Sequence, residues 1–111
     1  MSYQDLLSKA QSTNEKELLE LDISLRTLME NNKTLTYTQL RSILTVIKKE
    51  QFLSKSIHKL AYIQARQEKQ EAKLIVEFIR ELMEVAANNE NRNAFEEILN
   101  TIVAYHKFYS K

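Results

Sequence analysis

The chain contains neither glycine nor proline in 111 residues, and this absence limits what it can fold into more than any other feature. Sheet proteins depend on both residues in their tight turns, because glycine adopts positive φ angles without steric cost and proline fixes φ near the value that a turn needs. Helices, in contrast, can be joined by asparagine, serine and threonine. The length is that of one domain with a modest core. We therefore predict an all-α fold, a single compact bundle of about five helices over residues 1–111.

Apolar residues spaced three and four apart predict five amphipathic helices between residues 14 and 109. Their predicted inward residues are Leu18, Leu21, Leu25, Leu28 and Met29, then Leu40, Ile43, Leu44 and Ile47, then Leu53, Ile57, Leu60, Ala61 and Gln64, then Leu74, Ile75, Phe78, Ile79, Leu82, Met83 and Ala86, and finally Phe95, Ile98, Leu99, Ile102 and Val103. Residues 1–13 lack a sustained pattern, so we expect them to be frayed or to form a short helix.

Two helix starts carry capping residues. Asn14 precedes the first pattern, and Thr36 precedes the second with Gln39 three positions later, which predicts a capping box. Leu35 and Leu40 flank this start at the spacing of a hydrophobic staple.

The helix ends are less well marked. Asparagine tolerates the left-handed backbone that ends helices, so we place ends at Asn31–Asn32 and Asn88–Asn89. A kink or short turn is expected near Gln51. The polar residues 64–73 contain no breaker, so the third and fourth helices either separate there or form one continuous helix. A continuous helix would permit a helix-swapped dimer.

Charge is sorted along the chain. Residues 1–32 carry a net charge of −3, residues 33–73 of +6, residues 74–100 of −4 and residues 101–111 of +2. Such asymmetry indicates a polyanionic partner for the middle segment, the alternative being a solvated helix surface that is basic without a ligand.

The middle segment orders its charges in two rows. In the second predicted helix the row is Thr38, Arg41, Thr45 and Lys48, and in the third it is Lys55, Lys59, Tyr62, Arg66 and Lys69. No acid occurs between Glu50 and Glu68, although solvated helix faces usually mix both signs. Lysine, arginine and hydroxyl groups donate hydrogen bonds to phosphates, and an aromatic ring stacks on a base. The alternative for Tyr62 is a surface ring packed on lysine stems.

Catalytic and metal-binding patterns are weak. The chain has no cysteine, and the S-x-x-K match of Ser56 and Lys59 lacks its partner motifs. His58 and His106 are single histidines without ligand spacing, and we expect each at the surface or half-buried. We predict no enzyme, no metal and no cofactor. No signal peptide and no apolar run of membrane-spanning length is present, which favours a cytoplasmic protein without a membrane partner.

Three segments in order, TQLRSIL (38–44), LAYIQAR (60–66) and VAYHKFY (103–109), carry a family resemblance. In a short all-helical chain they resemble the small helical subunit of the type III-A CRISPR (Csm) effector complex. The resemblance covers roughly residues 36–109, and residues 1–32 match nothing in it.

The resemblance implies a non-catalytic subunit. Such subunits stack in a short filament along the backbone subunits that hold the guide RNA, and they line the channel where target RNA pairs with the guide. Target cleavage and cyclic oligoadenylate signalling belong to other subunits. The family's basic positions correspond to Arg41 and Arg66 here, and helical periodicity adds Lys48, Lys55, Lys59 and Tyr62. We call these six residues the candidate RNA residues.

An alternative from another class is a helical protein–protein adaptor without nucleic-acid binding. It would use exposed apolar residues such as Tyr3, Phe108 and Tyr109. A DNA-binding protein is disfavoured, because no compact helix-turn-helix pattern with a glycine turn is present.

Overall fold

The computed structural model describes residues 2–32 and 35–109, and within them the chain forms six α-helices and no strand. The helices are α1 (Tyr3–Ala10), α2 (Glu15–Asn31), α3 (Tyr37–Lys49), α4 (Ile57–Ala65), α5 (Gln70–Asn88) and α6 (Arg92–Tyr109). One turn of 3-10 helix, Leu53–Lys55, lies between α3 and α4. The predicted all-α fold is confirmed, with α1 added to the five periodic helices. None of these described helices is long and apolar enough to cross a membrane.

The first helix forms despite its weak pattern. Ser2 accepts a hydrogen bond from the Asp5 N–H at 3.1 Å, and the Asp5 carboxylate accepts one from the Ser2 N–H at 3.4 Å. Leu6, Leu7 and Ala10 are buried against the neighbouring helices. Eight residues are too few to show a periodicity, so the capping pair was the better signal.

The predicted helix starts are confirmed. Asn14 accepts the Glu17 N–H at 3.1 Å. Thr36 and Gln39 form a capping box: the Thr36 N–H donates to the Gln39 side chain at 2.8 Å, and the Gln39 N–H donates to the Thr36 hydroxyl oxygen at 3.1 Å. Leu35, which precedes this cap, is buried. These contacts lie within four residues along the chain, which is why the sequence predicts them.

The helix ends use a different device from the one predicted. Asn32 has φ −136° and Asn89 has φ −98°, so neither is left-handed. Instead, the Asn32 side chain donates to the Leu28 carbonyl at 2.8 Å, and that of Asn89 donates to the Val85 carbonyl at 3.0 Å. The Asn32 amide thus pairs with a carbonyl that its own backbone N–H does not reach, whereas the Asn89 amide adds a second bond to the carbonyl that accepts the Asn89 N–H. Among the described residues, only Glu90 has a positive φ, 52°.

The predicted inward face of the third helix is partly wrong. Leu53 and Leu60 are buried, but Ala61 is exposed and Gln64 is half-buried, where it accepts a bond from Arg80 at 3.0 Å. Leu53 lies in the 3-10 turn, which has three residues per turn. Residues before and after this turn therefore do not share one helical phase.

The helices α4 and α5 are separate in this structure, although no glycine or proline divides them. Gln67 is buried, and its side chain donates to the Ile63 carbonyl at 3.1 Å, close to the end of α4. The buried side-chain amide of Gln67 thus marks the end of α4 within residues 64–73, where the sequence allowed either a break or one continuous helix. The helix-swapped dimer stays a prediction.

The core is centred on α5 and α6. Both bury long apolar faces, and α5 packs against α1, α4 and α6. Two predicted core positions of α5 differ: Leu74 is 44% exposed, and Phe78 is half-buried. Val76 is buried instead. The buried side chains of the six helices and the 3-10 turn form one cluster.

Two residues near the end of α6 bind to distant parts of the chain. The Tyr105 hydroxyl donates to the Asp22 carboxylate of α2 at 2.5 Å, and this bond raises the pKa of Tyr105. His106 is buried, contrary to the expected surface or half-buried position, with its Nε2 atom 2.6 Å from the Leu35 carbonyl. The first contact holds α6 against α2, and the second holds it against the segment that leads into α3.

Arg92, at the start of α6, binds the end of α3. Its guanidinium donates to the carbonyl oxygens of Ile47, Glu50 and Gln51 at 3.2, 2.9 and 2.7 Å. A further bond of 3.0 Å to the Glu96 carboxylate orients it. A cation at the carboxyl end of a helix also opposes the negative end of the helix dipole.

We expect Arg92→Gln to lower the free energy of unfolding by about 2–3 kcal/mol, because several charge-assisted bonds to backbone carbonyls are lost. Urea denaturation measures this change. Arg80→Gln is the matched control, since Arg80 binds only the side chains of Gln64 and Glu84. It should cost less than about 1 kcal/mol. Equal losses for the two variants would show that Arg92 does not stabilise the end of α3.

Candidate nucleic-acid interface

The first basic row lies on the outer face of α3. Arg41 and Lys48 are exposed, as are Thr38 and Thr45 between and beside them. On the other side of the same helix, Ile43 is completely buried. The amphipathic pattern thus places two cations on solvent-facing turns of one helix, with positions fixed by its packed face.

The Thr45 hydroxyl is not free to donate to a phosphate, as the prediction required. The Thr45 hydroxyl donates to the Arg41 carbonyl at 2.9 Å, which is the usual bond of a threonine to the preceding helical turn. Its single proton is therefore already used, and its oxygen offers only acceptor capacity. Arg41 and Lys48 keep donors for a phosphate, whereas the Thr45 hydroxyl does not.

The second basic row is divided among three elements instead of lying on one helix. Lys55 ends the 3-10 turn, Lys59 and Tyr62 lie within α4, Arg66 is the residue after α4, and Lys69 precedes α5. The prediction of one continuous face was wrong because α4 has only nine residues. The α3 and α4 helices are nevertheless in contact, so the two rows lie on neighbouring elements.

Tyr62 and Arg66 form one exposed unit. Arg66 Nη1 donates to the Tyr62 hydroxyl at 3.2 Å, and the guanidinium carbon lies 5.5 Å from the ring centroid. Tyr62 is 63% exposed. The Tyr62 ring thus contacts the Arg66 guanidinium, and much of the ring stays accessible.

Lys59 is not an uncompensated cation. Its Nζ atom lies 2.6 Å from Oε1 of Glu50, and the hydrogen bond from Lys59 holds the pKa of the Glu50 carboxyl below its usual value. The prediction that the row lacks an acidic partner is therefore wrong for this lysine. Within residues 2–32 and 35–109, no ion pair joins the other four cations of the candidate RNA residues to an acid.

The structure adds two residues that the sequence did not suggest. Phe52 is 55% exposed, and the Lys55 ammonium lies 5.9 Å from its ring centroid. Lys73 lines a shallow depression of about 300 Å³ beside α4, together with Ala61, Gln64, Ala65 and Arg80. An aromatic next to a lysine row was the available signal for Phe52, whereas the position of Lys73 depends on how α5 packs against α4.

The S-x-x-K match does not form a catalytic pair. Ser56 is completely buried, and its hydroxyl lacks a hydrogen-bond partner. The Lys59 ammonium is instead paired with the Glu50 carboxylate. Across the described part of the chain, no group of three or more histidine, aspartate or glutamate side chains is placed to hold a metal ion.

Comparison with protein families gives a match over residues 3–111, to the family described as Csm2 Type III-A. Searches of curated proteins and of solved structures gave no match. The family match covers nearly the whole chain, including residues 3–32, which carried no resemblance. The all-helical fold agrees with the expectation from the three segments. The chain belongs to the Csm2 Type III-A family, the small subunit of the type III-A CRISPR complex.

Proposed function

We propose that this subunit is non-catalytic, that it lines the channel of the RNA-guided complex, and that it binds the backbone of target RNA. The observation that carries the proposal is a set of exposed cations that form no ion pair with an acid among the residues that the structure describes: Arg41, Lys48, Lys55 and Arg66. They lie in the segment of net charge +6 in a protein whose total is only +1. Concentrated positive charge of this kind attracts a polyanion.

Each group has a distinct role in this proposal. Arg41 and Lys48 neutralise successive phosphates along the outer face of α3. Arg66 binds a further phosphate, and its partner Tyr62 stacks on a base with the open part of its ring. Lys55 and Lys59 extend the same contact across the turn before α4. None of these groups distinguishes one base from another by hydrogen bonds to base edges.

Recognition without sequence suits a complex whose specificity comes from the guide. When base pairing selects the target, the protein needs only to bind backbone and helix shape. The partners are thus the target RNA and the duplex that it forms with the guide RNA, together with the other subunits of the effector complex in the cytoplasm. We also propose self-association as a stacked filament, with a homodimer as the form of the isolated subunit.

A second candidate function is an adaptor that binds only protein. One observation favours it, since Phe108 is 72% exposed and its ring centroid lies 5.0 Å from that of Tyr109. Tyr3 supports it less, because its ring is half-buried against Phe78 at 5.6 Å.

Titration of labelled single-stranded RNA at several salt concentrations tests the proposal. Binding by the isolated subunit should be weak and independent of sequence. The slope of log affinity against log salt should gain about 0.7 in magnitude per neutralised phosphate, which is about 3 for four cations. Binding that is insensitive to salt, or undetectable at low salt, would favour the adaptor function.

A further inference from the structure

Glu50 is the first of three acidic residues in the basic segment 33–73, and the only one between its two basic rows. It is the only acidic residue between Glu30 and Glu68 in the sequence. A lone acid on a solvated surface would be unconstrained, yet this one lies at the junction of the two basic rows, directly after α3. Its carboxylate contacts Lys59, one of the candidate RNA residues, at 2.6 Å.

Basic side chains surround the Glu50 carboxylate, as they would surround a bound anion. Besides the hydrogen bond from Lys59, the charges of Lys55 and His58 act on the carboxyl and contribute to its low pKa. The Glu50 side chain is mostly buried, with 23% of its surface exposed, whereas the Lys59 side chain is 42% exposed. Lys59 is thus accessible from solvent although its ammonium is already paired.

The position of Glu50 is fixed through its backbone. Its carbonyl oxygen accepts a hydrogen bond from Arg92 at 2.9 Å, and the Arg92 side chain also holds the carbonyls of Ile47 and Gln51. Arg92 thereby acts as a positioning residue for Glu50. The Lys59–Glu50 ion pair therefore lies where α3, α4 and α6 contact one another.

We propose that the Glu50 carboxylate occupies the place of an RNA phosphate, so that RNA engages Lys59 only by displacing Glu50. This inference rests on the proposed RNA-binding function and describes its regulation. Partly exposed ion pairs are weak because water and salt screen them, so a phosphate can compete for the lysine. The isolated subunit then holds RNA loosely, and strong binding requires the several phosphates that a channel-bound strand presents together.

A double-mutant cycle on RNA affinity tests the proposal. Glu50→Gln keeps the shape of the side chain and releases Lys59, so RNA should bind about three- to fivefold more tightly at low salt, with a salt slope larger by about 0.7. Lys59→Gln should weaken RNA binding less in the parent, where Glu50 occupies the lysine, than in the Glu50→Gln background, where it should abolish the gain. The probe is labelled single-stranded RNA, and circular dichroism verifies that each variant is folded.

Glu68→Gln is the matched control, because Glu68 is an exposed acid at the edge of the same segment. Its removal should change affinity by less than about twofold, since screening weakens the effect of a charge that makes no direct contact. Equal effects of Lys59→Gln in the two backgrounds, or equal gains from Glu50→Gln and Glu68→Gln, would overturn the proposal. Either outcome leaves the RNA-binding function intact if reversal of Arg41 and Arg66 still weakens binding.

Discussion

Replacing Leu60 by aspartate is expected to unfold the bundle in the absence of denaturant. Leu60 is completely buried in α4, and α4 packs against α5 at the centre of the fold. An unpaired carboxylate at such a position costs several kcal/mol, and the volume of the leucine is lost as well. The sum approaches the whole stability of a typical small domain, about 5–15 kcal/mol. Circular dichroism should show loss of the helical signal.

Ala61→Asp is the control, one residue further along the same helix. Ala61 is exposed, so this variant should stay folded and differ from the parent by less than about 1 kcal/mol. The pair also tests the phase of α4, because the sequence pattern placed both residues inward. An unfolded Ala61→Asp variant beside a folded Leu60→Asp variant would mean that the assigned face of α4 is wrong.

The parts of the fold that were predictable depend on short-range chemistry. The capping box of Thr36 and Gln39 lies within one helical turn, so side-chain type and spacing determine it. The inner and outer faces of α3 follow from periodicity alone, and Arg41 is exposed as predicted.

The parts that failed depend on tertiary context. The packing of α4 against α5 buries Leu60 and leaves the adjacent Ala61 exposed, and periodicity within this nine-residue helix does not decide between the two. The end of α4 depends on burial of Gln67, a residue type that is usually exposed. Periodicity describes one helix at a time and cannot show where two helices separate.

The features of the candidate site also separate into those set by local sequence and those set by tertiary contacts. Exposure of the cations follows from helix faces, but the Lys59–Glu50 pair joins residues nine positions apart across a turn. The binding of Arg92 to the end of α3 spans more than forty residues, as its contact with Glu50 illustrates. The charge count treated the Lys59 ammonium as free to bind a phosphate, whereas in the folded chain it is paired with Glu50.

The second large effect is expected from reversing two cations together. Arg41→Glu with Arg66→Glu removes two phosphate contacts and places two negative charges beside the strand. We expect RNA affinity to fall at least about tenfold for every sequence tested, with a smaller salt slope. Both side chains are exposed, so helicity should not change. The control is Glu77→Lys on α5, which alters charge outside the basic rows and should not weaken binding.

The most direct test of RNA binding by this subunit is titration of labelled single-stranded target RNA, at several salt concentrations, with complexes assembled from parent or doubly reversed subunit. We predict that the complex with Arg41→Glu and Arg66→Glu binds target RNA more weakly and with less dependence on salt. The affinity of the isolated subunit should change in the same direction. Equal affinity of parent and variant in both formats would contradict this prediction. The basic rows would then be a solvated surface, and the subunit an adaptor that contacts only protein.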